Sequence, residues 1–377
     1  MVEWKKLGEV CSFFRGRSLS KKDIGEGNHQ ILLYGELYTT YGDYITHIKS
    51  KTSFEKAIVA TKLKYNDLVL PVSSTTKEAQ IGKVSVIKTK SDVYLGSDAI
   101  LLRDTFNPAY LMYYLNSTLF EKSKMECVHG TTIMHLSPTE LAQKEIPIPS
   151  LSEQSRIVSI LDTFTSSISN LKQQIEERRK QYEYERDLLL DLEGKEGVEM
   201  KKLGDFAEIG TGSSNTQDEL ESGRYPFFVR SQIVKWKDDY EFDEIAIITS
   251  GDGVGVGKVL HYYEGKYALH QRAYRIHVEN DSIVPKFIFY FMQKDFYWYI
   301  MSNAYAASVT SVRRPMLINY PIPIPPLSTQ SRIVSILDTF EQSISNLEEQ
   351  LAMREKQYEY YRNQLLTFEG EEERGKA

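Results

Sequence analysis

The sequence predicts an α+β fold in which two globular α/β heads are separated by two long antiparallel coiled-coil helices, with pseudo-two-fold symmetry. A forty-residue stretch is present twice, at 151–190 and 327–366, and 28 of its 40 positions are identical. Both copies repeat apolar residues at alternating spacings of four and three, which is typical of a coiled coil. The segments between the copies barely resemble each other. A chain of this kind keeps a common helical spacer and varies the two heads that it carries.

Two shorter repeats give the order of the parts. Residues 2–10 (VEWKKLGEV) return as 198–206 (VEMKKLGDF), and IPIPSL at 146–151 returns as IPIPPL at 322–327. The order is therefore head, helix, head, helix, as in a duplicated unit. The expected parts are a first head at 1–149, a first spacer helix at 150–192, a second head at 198–325, a second spacer helix at 326–368 and a charged tail at 369–377.

The heads show the alternating pattern of strands followed by an aromatic amphipathic helix. The predicted strands are 68–72, 82–88 and 99–103 in the first head, and 245–249, 257–263 and 267–278 in the second. The aromatic helices are predicted at 108–124 and 285–302. A short helix follows in the first head, behind the Ser-Pro-Thr-Glu capping box of 137–140.

Each repeated stretch is predicted to form one helix with an apolar seam. Ser152 and Ser328 are expected to cap the two helices. Arg178 and Arg354 share one seam position, where the stem packs and the guanidinium is expected to reach solvent. The seam of the first helix is Ile157, Leu161, Phe164, Ile168, Leu171, Ile175, Tyr182 and Leu189; that of the second is Ile333, Leu337, Phe340, Ile344, Leu347, Leu351, Tyr358 and Leu365.

The two seams are expected to pair with each other, because either stripe alone would be a long exposed apolar patch. The linker between the first helix and the second head is short. Since the two ends of a domain usually lie close together, the second helix should start beside the end of the first. That chain path favours antiparallel pairing.

Composition limits the possible classes of function. Of the 377 residues, 41% are hydrophobic, enough for two or three packed domains. The two cysteines and seven histidines show no metal-ligand spacing. No apolar run has the length of a signal peptide or a membrane span, so we expect a cytoplasmic protein.

The net charge of −6 at first argues against nucleic acid. Its distribution weakens that objection. Residues 1–145 carry 19 basic and 16 acidic side chains, whereas 198–322 carry 14 and 16. Most of the excess acid therefore lies on the helices and the tail, and a mildly charged head is compatible with a basic face.

Two motifs suggest enzymes but fit structural roles better. Residues 107–110 (NPAY) resemble the Asn-Pro-Pro-Tyr motif of amino-methyltransferases, yet the equivalent 284–287 is VPKF, and no Gly-rich S-adenosylmethionine loop is evident. An Asn N-cap before a helical Pro explains NPAY better. Residues 251–258 (GDGVGVGK) lack the first Gly and the hydroxyl of a phosphate loop. They are predicted to form a turn between strands, with a ligand-binding loop as the alternative.

The polar and basic loops of the heads are the candidate contacts to nucleic acid. Their Arg, Lys, Gln, Ser and Thr side chains are types that contact phosphates and base edges. Each loop alone is also compatible with plain solvation, but some recur at matching places. The candidates are Arg15, Arg17, Ser18, Lys21, Lys22, Ser73, Ser74, Thr75, Thr76, Lys77, Gly130, Thr131 and Thr132 in the first head, and Arg230, Ser231, Gln232, Ser250, Asp252, Arg272, Ser308, Thr310, Ser311, Arg313 and Arg314 in the second.

The doubled IPIP-x-L-S-x-Q-S-R-I-V-x-x-L-D segment and the doubled KKLG start resemble the specificity subunit of type I restriction-modification systems, over essentially the whole chain. The heads match more weakly. The resemblance implies that each head is a target recognition domain for one half of a bipartite DNA site, and that the helices set the gap between the halves.

The same resemblance implies that this prokaryotic chain is not catalytic and binds no cofactor itself. Its implied partners are double-stranded DNA and two modification subunits, which bind S-adenosylmethionine and methylate adenine. Restriction subunits that use ATP and magnesium would join through them. A single-chain adenine methyltransferase and a coiled-coil adaptor that ignores DNA are the alternatives.

Overall fold

The computed structural model describes residues 2–75, 81–304 and 311–368. The chain divides into two compact units. The first comprises Met1–Asn170 and Gln350–Ala377, and the second comprises Leu171–Glu349. Each of the two repeated stretches therefore contributes residues to both units.

The first unit contains the first head, which is built of short strands and short helices. Its strands are β1 (Glu3–Lys6), β2 (Ser12–Arg15), β3 (His29–Leu32), β4 (Tyr44–Ile45), β5 (Lys51–Thr52), β6 (Thr61–Lys62), β7 (Leu68–Pro71), β8 (Ser73–Ser74), β9 (Ser85–Ile87), β10 (Val93–Leu95), β11 (Ala99–Arg103), β12 (Val128–His129), β13 (Met134–Leu136) and β14 (Glu145–Ile148). Its helices are α1 (Leu7–Val10), α2 (Tyr34–Thr39), α3 (Phe54–Ala57), α4 (Pro108–Leu115), α5 (Thr118–Met125), α6 (Pro138–Leu141), the first part of α7 (Leu151–Leu189) and the last part of α10 (Leu327–Leu366).

The second unit has fewer and longer strands. They are β15 (Glu199–Lys202), β16 (Ala207–Thr211), β17 (Tyr225–Phe228), β18 (Lys235–Lys237), β19 (Phe242–Ser250), β20 (Leu260–Leu269), β21 (Ala273–Val278) and β22 (Pro321–Ile324). Its helices are α8 (Pro285–Ala304), α9 (Arg314–Ile318), the last part of α7 and the first part of α10 (Leu327–Leu366).

The largest sheets of the two heads have the same topology. The first has the order β2-β11-β7-β9-β4, and the second has β16-β21-β19-β20-β17 with β18 added at the edge. In both sheets the first three neighbouring pairs are antiparallel and the fourth is parallel. The heads therefore share one fold although their sequences barely match.

The repeated stretches form two helices that pack antiparallel within each unit. In the first unit the ring of Phe164 lies 6.5 Å from that of Tyr358, and in the second unit Tyr182 lies 6.4 Å from Phe340. A later residue of α7 thus meets an earlier residue of α10. Every predicted seam residue is buried or half-buried. The predicted fold class, a mixed α+β protein with two long helices that pack together, is confirmed.

The seam arginines make a contact that the prediction did not include. The guanidinium of Arg178 lies 5.8 Å from the ring centre of Phe340, and that of Arg354 lies 5.6 Å from that of Phe164. Each half-exposed arginine places its guanidinium over an aromatic ring of the facing helix, where a cation is attracted by the π face. The same contact occurs once in each unit.

The helix starts also differ from the prediction. Helix α7 begins at Leu151, and the hydroxyl of Ser150, not Ser152, accepts the backbone N–H of Glu153 at 3.2 Å. Helix α10 begins at Leu327, and the carbonyl of Pro326 accepts the N–H of Thr329 at 2.8 Å. Each helix thus begins one residue before the predicted serine cap, and the residue that accepts the first N–H lies two residues before it.

Two predicted elements of the heads are divided in the structure. The helix expected at 108–124 is split into α4 and α5, because the Asn116 side chain bonds both backbone groups of Val84 and Ser117 caps the second helix. The strand expected at 267–278 is the end of β20, a turn at 270–272 and β21. Pairing with β19 extends β20 to Tyr267, and pairing with β17 extends it to Leu269, beyond the strand expected at 257–263.

Candidate nucleic-acid interface

Buried tyrosines tie each head to the repeated helix in its own unit. Tyr44 and Tyr113 both donate to Oδ1 of Asp162 at 2.6 Å. Tyr290 donates to Oδ1 of Asp338, the repeat equivalent of Asp162, also at 2.6 Å. Burial first, and then the adjacent carboxylate, raises the pKa of Tyr113 and Tyr290, so both stay protonated donors. The same tether therefore holds both heads.

A buried glutamine repeats this pattern at the start of each helix. Gln154 donates to the carbonyl of Pro149 at 2.9 Å, and Gln330 donates to that of Pro325 at 2.8 Å. These bonds fix the proline-rich entry that joins head to helix. They explain why both repeats have a glutamine at this position, where a helix that only faces solvent would not require one.

The NPAY segment has a structural role. The side chain of Asn107 accepts the N–H of Tyr110 at 3.2 Å and so caps α4. Tyr110 is 2% exposed, and its hydroxyl donates to the carbonyl of Pro147 at 2.9 Å. Both side chains are committed to the fold of the first head, which disfavours a catalytic role for this motif.

In the first head, one loop presents several of the predicted basic residues. Arg15 ends β2, and the chain then runs along β10 and β11. The N–H of Gly16 donates to the carbonyl of Ala99 at 2.9 Å, and the N–H of Arg17 donates to that of Leu95 at 3.3 Å. Gly16 is required there, since an added Cβ would lie 1.9 Å from the carbonyl oxygen of Gly96. Arg15, Arg17 and Ser18 are exposed, as are Lys21 and Lys22 in the following turn.

A cleft brings Arg15 beside Ser73 and beside the two strands that flank a third predicted segment, 130–132. Its lining includes Arg15, Ser73, His129 and His135. The exposed turn of Gly130, Thr131 and Thr132 joins β12 to β13, the strands that carry these histidines. Lys21 and Lys22 line a separate cleft beside Tyr34.

Ser73 and Ser74 differ from the other candidates because both are buried. The Ser73 hydroxyl bonds Asp98 at 3.1 Å and His135 at 3.0 Å. Because little of either side chain is accessible, we leave both out of the proposed interface. Thr75 is exposed, whereas Thr76 and Lys77 lie outside the described residues.

In the second head, an acidic side chain gathers two predicted arginines. Asp252 accepts from Arg230 at 2.6 Å and from Arg272 at 3.3 Å. Burial alone would raise the pKa of Asp252, but the two guanidiniums outweigh it and hold the pKa below its usual range. The Ser250 hydroxyl donates to the backbone carbonyl of Asp252 at 2.7 Å, and Ser311 pairs with Asp252 through its backbone. We name Arg230, Asp252 and Arg272 the arginine cluster.

The remaining candidates of the second head lie apart from these contacts or outside the described residues. The Ser231 hydroxyl accepts the N–H of Ile233 at 3.0 Å, and Gln232 is exposed. Arg313 and Arg314 are exposed at the start of α9. Ser308 and Thr310 lie outside the described residues.

Sequence reasoning missed two exposed polar residues beside the arginine cluster. Gln271 precedes Arg272 and donates to the side chain of Asn215 at 2.8 Å. The strand predicted for 267–278 was continuous and did not include the turn that exposes Gln271. The polar run of 213–218 was the available signal for Asn215.

Among residues 2–75, 81–304 and 311–368, no three His, Cys, Asp or Glu side chains are grouped so as to hold a metal ion. Within the same ranges, no helix combines the length and apolarity needed to cross a bilayer.

Both halves of the chain match one known family model. Residues 1–178 and 195–353 match the type I restriction modification DNA specificity domain. The chain is 30% identical over 260 residues to the EcoR124I/EcoR124II type I restriction enzyme specificity subunit of Escherichia coli. That match covers 60% of this chain and 64% of the relative, so just under two thirds of the relative's length is spanned.

A second relative and a solved structure agree with this match. The chain is 29% identical over 295 residues to the Haemophilus influenzae protein S.HindORF215P, assigned as a type I restriction enzyme specificity subunit; the match covers 71% of this chain and 74% of the relative. The crystal structure of the S subunit of a type I restriction-modification system from M. genitalium superposes with a TM-score of 0.66 at 15% identity, covering 98% of this chain and 96% of that one. At that identity the likeness concerns the fold.

Proposed function

Because this chain belongs to the family of the type I restriction modification DNA specificity domain, we propose that it is the non-catalytic DNA-recognition subunit of a type I restriction-modification complex. In this proposal each head binds one half of a bipartite site in double-stranded DNA. Since prokaryotic DNA lies in the cytoplasm, we expect the chain to act there.

The observation that carries the proposal is that one scaffold supports two different polar surfaces. The sheets of the two heads agree in strand order and direction. The side chains beside them differ, with the Arg15–Ser18 loop in the first head and the arginine cluster in the second. A site with two unlike halves needs two readers of one type with different specificities. Arginine and glutamine are the side chains that most often distinguish bases in the major groove.

The repeated helices are proposed to bind two identical modification subunits. Tyr184 is 67% exposed and its repeat equivalent Tyr360 is 58% exposed. The pairs Arg156 and Arg332, and Lys180 and Lys356, are also identical and exposed. Folding explains identity in the seam but not at exposed positions. Two equal contacts with two copies of a partner would require such identity.

The same helices are proposed to fix the gap between the half-sites, because each of them contributes to both units. Inserting one heptad at the middle of each helix would add about 10 Å. At 3.4 Å per base pair, the recognised gap should lengthen by about three base pairs while both half-sites stay the same. A changed half-site, or an unchanged gap, would contradict this division of roles.

The proposed cofactors belong to the partners. S-adenosylmethionine would be bound by the modification subunits, and ATP and magnesium would be used by the restriction subunits. This chain would contribute only recognition, in line with the structural role of Asn107 and Tyr110.

The test is binding by the full chain with and without its modification subunit. Duplexes that carry the host methylation motif should be bound specifically only by the complex. The heads carry little net positive charge, so few phosphate contacts are available to the chain alone. A duplex with both half-sites scrambled is the control.

Two results would favour the alternatives. Methyl transfer from labelled S-adenosylmethionine to DNA by the chain alone would identify a single-chain methyltransferase. A complex that binds the motif and the scrambled duplex equally would identify an adaptor without DNA specificity.

A further inference from the structure

One turn of the second head exposes a valine completely. Residues 251–259 join β19 to β20, and Val254 in this turn is 102% exposed. Val256 and Val259 of the same turn are 3% and 5% exposed. Two of the three valines therefore pack into the head, while the third projects away from it.

The turn is held on several sides, so Val254 is presented from a fixed base. The N–H of Gly251 donates to the carbonyl of Arg272, and the carbonyl of Gly251 accepts the N–H of Val312, both at 2.9 Å. Gly255 lies directly against its neighbours. An added Cβ there would lie 2.6 Å from Cγ2 of Val259 and 3.0 Å from the carbonyl oxygen of Arg230. The turn is thus bonded to the backbone of Arg272 at Gly251, and it lies close to the carbonyl of Arg230 at Gly255.

The turn that exposes Val254 also carries Asp252, whose carboxylate holds two arginine side chains with hydrogen-bond donors. The Arg272 side chain is 62% exposed, so part of its guanidinium faces solvent although Asp252 accepts from Nη1. Gln271 beside it is exposed and carries an amide. The immediate neighbours of Val254 are two glycines, so the apolar surface here is a single side chain. That is too small a patch to dock a protein by hydrophobic contact.

This combination matches the chemistry of the DNA major groove. Guanine offers two acceptors to an arginine, adenine pairs with an amide, and the C5 methyl group of thymine accepts an apolar contact. The minor groove displays no methyl group. An exposed aliphatic side chain on a turn that also holds such donors therefore has a defined counterpart in the major groove.

Resting on the DNA-binding function proposed above, we propose that Val254 is a specificity-determining residue that contacts the C5 methyl group of a thymine in the half-site bound by the second head. Arg272, which bonds Asp252 of the same turn, and the adjacent Gln271 would contact neighbouring base edges. Asp252 is a positioning residue, because it orients the two guanidiniums without facing a base itself.

The test replaces each thymine of that half-site, one at a time, with deoxyuridine, which lacks only the methyl group. Binding is measured by fluorescence anisotropy with the full chain in complex with its modification subunits. At one position, uracil should weaken binding by the wild-type complex about fourfold, the effect of one buried methyl-sized group. Val254→Ala should bind the thymine and uracil duplexes equally at that position. Val59→Ala, which truncates a 59% exposed valine of the first head, should keep the wild-type difference.

The possible failures are distinguishable. If the wild-type complex binds its site specifically but uracil costs the same in wild type and in Val254→Ala at every position, the valine contact is refuted and the DNA-recognition function stands. A half-site without thymine on either strand would also refute it. If the wild-type complex binds no sequence specifically, the proposed function fails and the inference fails with it. Because Val254 is fully exposed, an unchanged melting temperature should verify that the variant is folded.

Discussion

The two heads place opposite charges at equivalent positions of one sheet. In the second head, Arg272 precedes β21 and bonds Asp252 in the turn that follows β19. In the first head, Asp98 precedes β11, the counterpart of β21, and accepts from Ser73, which follows β7. Strand order and direction are the same in both heads. Apolar packing therefore determines the sheet, and the turns at its edge are free to differ in charge and chemistry.

The heads also obtain their positive charge from different elements. The first head presents Arg15 and Arg17 from the loop after β2, with Lys21 and Lys22 in the next turn. The second head presents Arg230 and Arg272 around one carboxylate. The difference indicates that the shared fold fixes where the edge of the sheet lies but not which residues stand there. Each DNA half-site would determine those residues.

Exchange of a whole head tests this separation with the largest expected effect. Replacing residues 1–149 with another head of the family should change one half-site completely and leave the other half and the gap unaltered. Specific sites are commonly bound at least about 1,000-fold more tightly than nonspecific DNA, so the change should be plain in a methylation or binding assay. The matching exchange of residues 198–325 is the control. Alteration of both half-sites by one exchange would show that the heads do not act separately.

The tyrosine tethers should contribute equally to both units if the scaffold is truly shared. Tyr113→Phe and Tyr290→Phe each remove a hydrogen bond to a carboxylate, and each should lower the free energy of unfolding by about 2 kcal/mol. Each carboxylate keeps another partner, Tyr44 for Asp162 and Lys286 for Asp338. Denaturant titrations should therefore give similar losses. Tyr184→Phe, at an exposed position, is the control, and a loss confined to one tether would argue against equivalent scaffolds.

The arginine cluster should affect only the half-site of the second head. Arg272→Ala should weaken binding about tenfold at the cognate site and relax the preference at one base pair, since one base contact is worth about 1–3 kcal/mol. Arg17→Ala in the first head is the matched variant and should act on the other half-site alone. The measurement is anisotropy with duplexes mutated in one half at a time. An equal loss for all sequences would instead indicate a phosphate contact.

The smallest expected difference concerns pH. Burial lowers the pKa of His261 and of His270 in the second head. A histidine whose pKa is lowered by folding binds its proton more readily when unfolded, so stability is present above the ordinary pKa of about 6.5 and is lost as pH falls below it. When the pH is lowered to about 5.5, the free energy of unfolding of the second head should therefore decrease. This decrease should be smaller than the loss caused by Tyr113→Phe or Tyr290→Phe.

Tryptophan fluorescence can follow this transition, because Trp236 and Trp298 lie in the second head and Trp4 lies in the first. A Trp4→Phe background restricts the signal to the second head. His261→Gln with His270→Gln should flatten the pH dependence. A stability that rises on acidification would contradict the stated direction.

The helices and their pairing were predictable from the sequence because a repeated seam has one physical solution. Each copy places Phe and Tyr at fixed intervals, and antiparallel packing brings Phe164 to Tyr358 and Phe340 to Tyr182. Less predictable were contacts between residues far apart in the chain. The break at Asn116 depends on Val84, and the course of β20 depends on its pairing with β19.

The candidate interface was predictable by residue type but not by arrangement. Arg230, Asp252 and Arg272 were all selected for their polar surroundings, yet only the fold brings them to one point. The sequence offered equal reason to choose Ser73, which is buried and bonds Asp98 and His135. It offered no reason to choose Val254, because the sequence of the turn 251–259 does not distinguish an exposed valine from a buried one.

The most direct measurement is the methylation motif of adenines in the genome of the host, read by single-molecule sequencing with and without the gene for this chain. Two unlike heads on a repeated scaffold predict a motif of two different half-sites separated by a fixed gap, lost when the gene is deleted. A continuous motif, a palindromic motif, or methylation unchanged by the deletion would contradict that prediction.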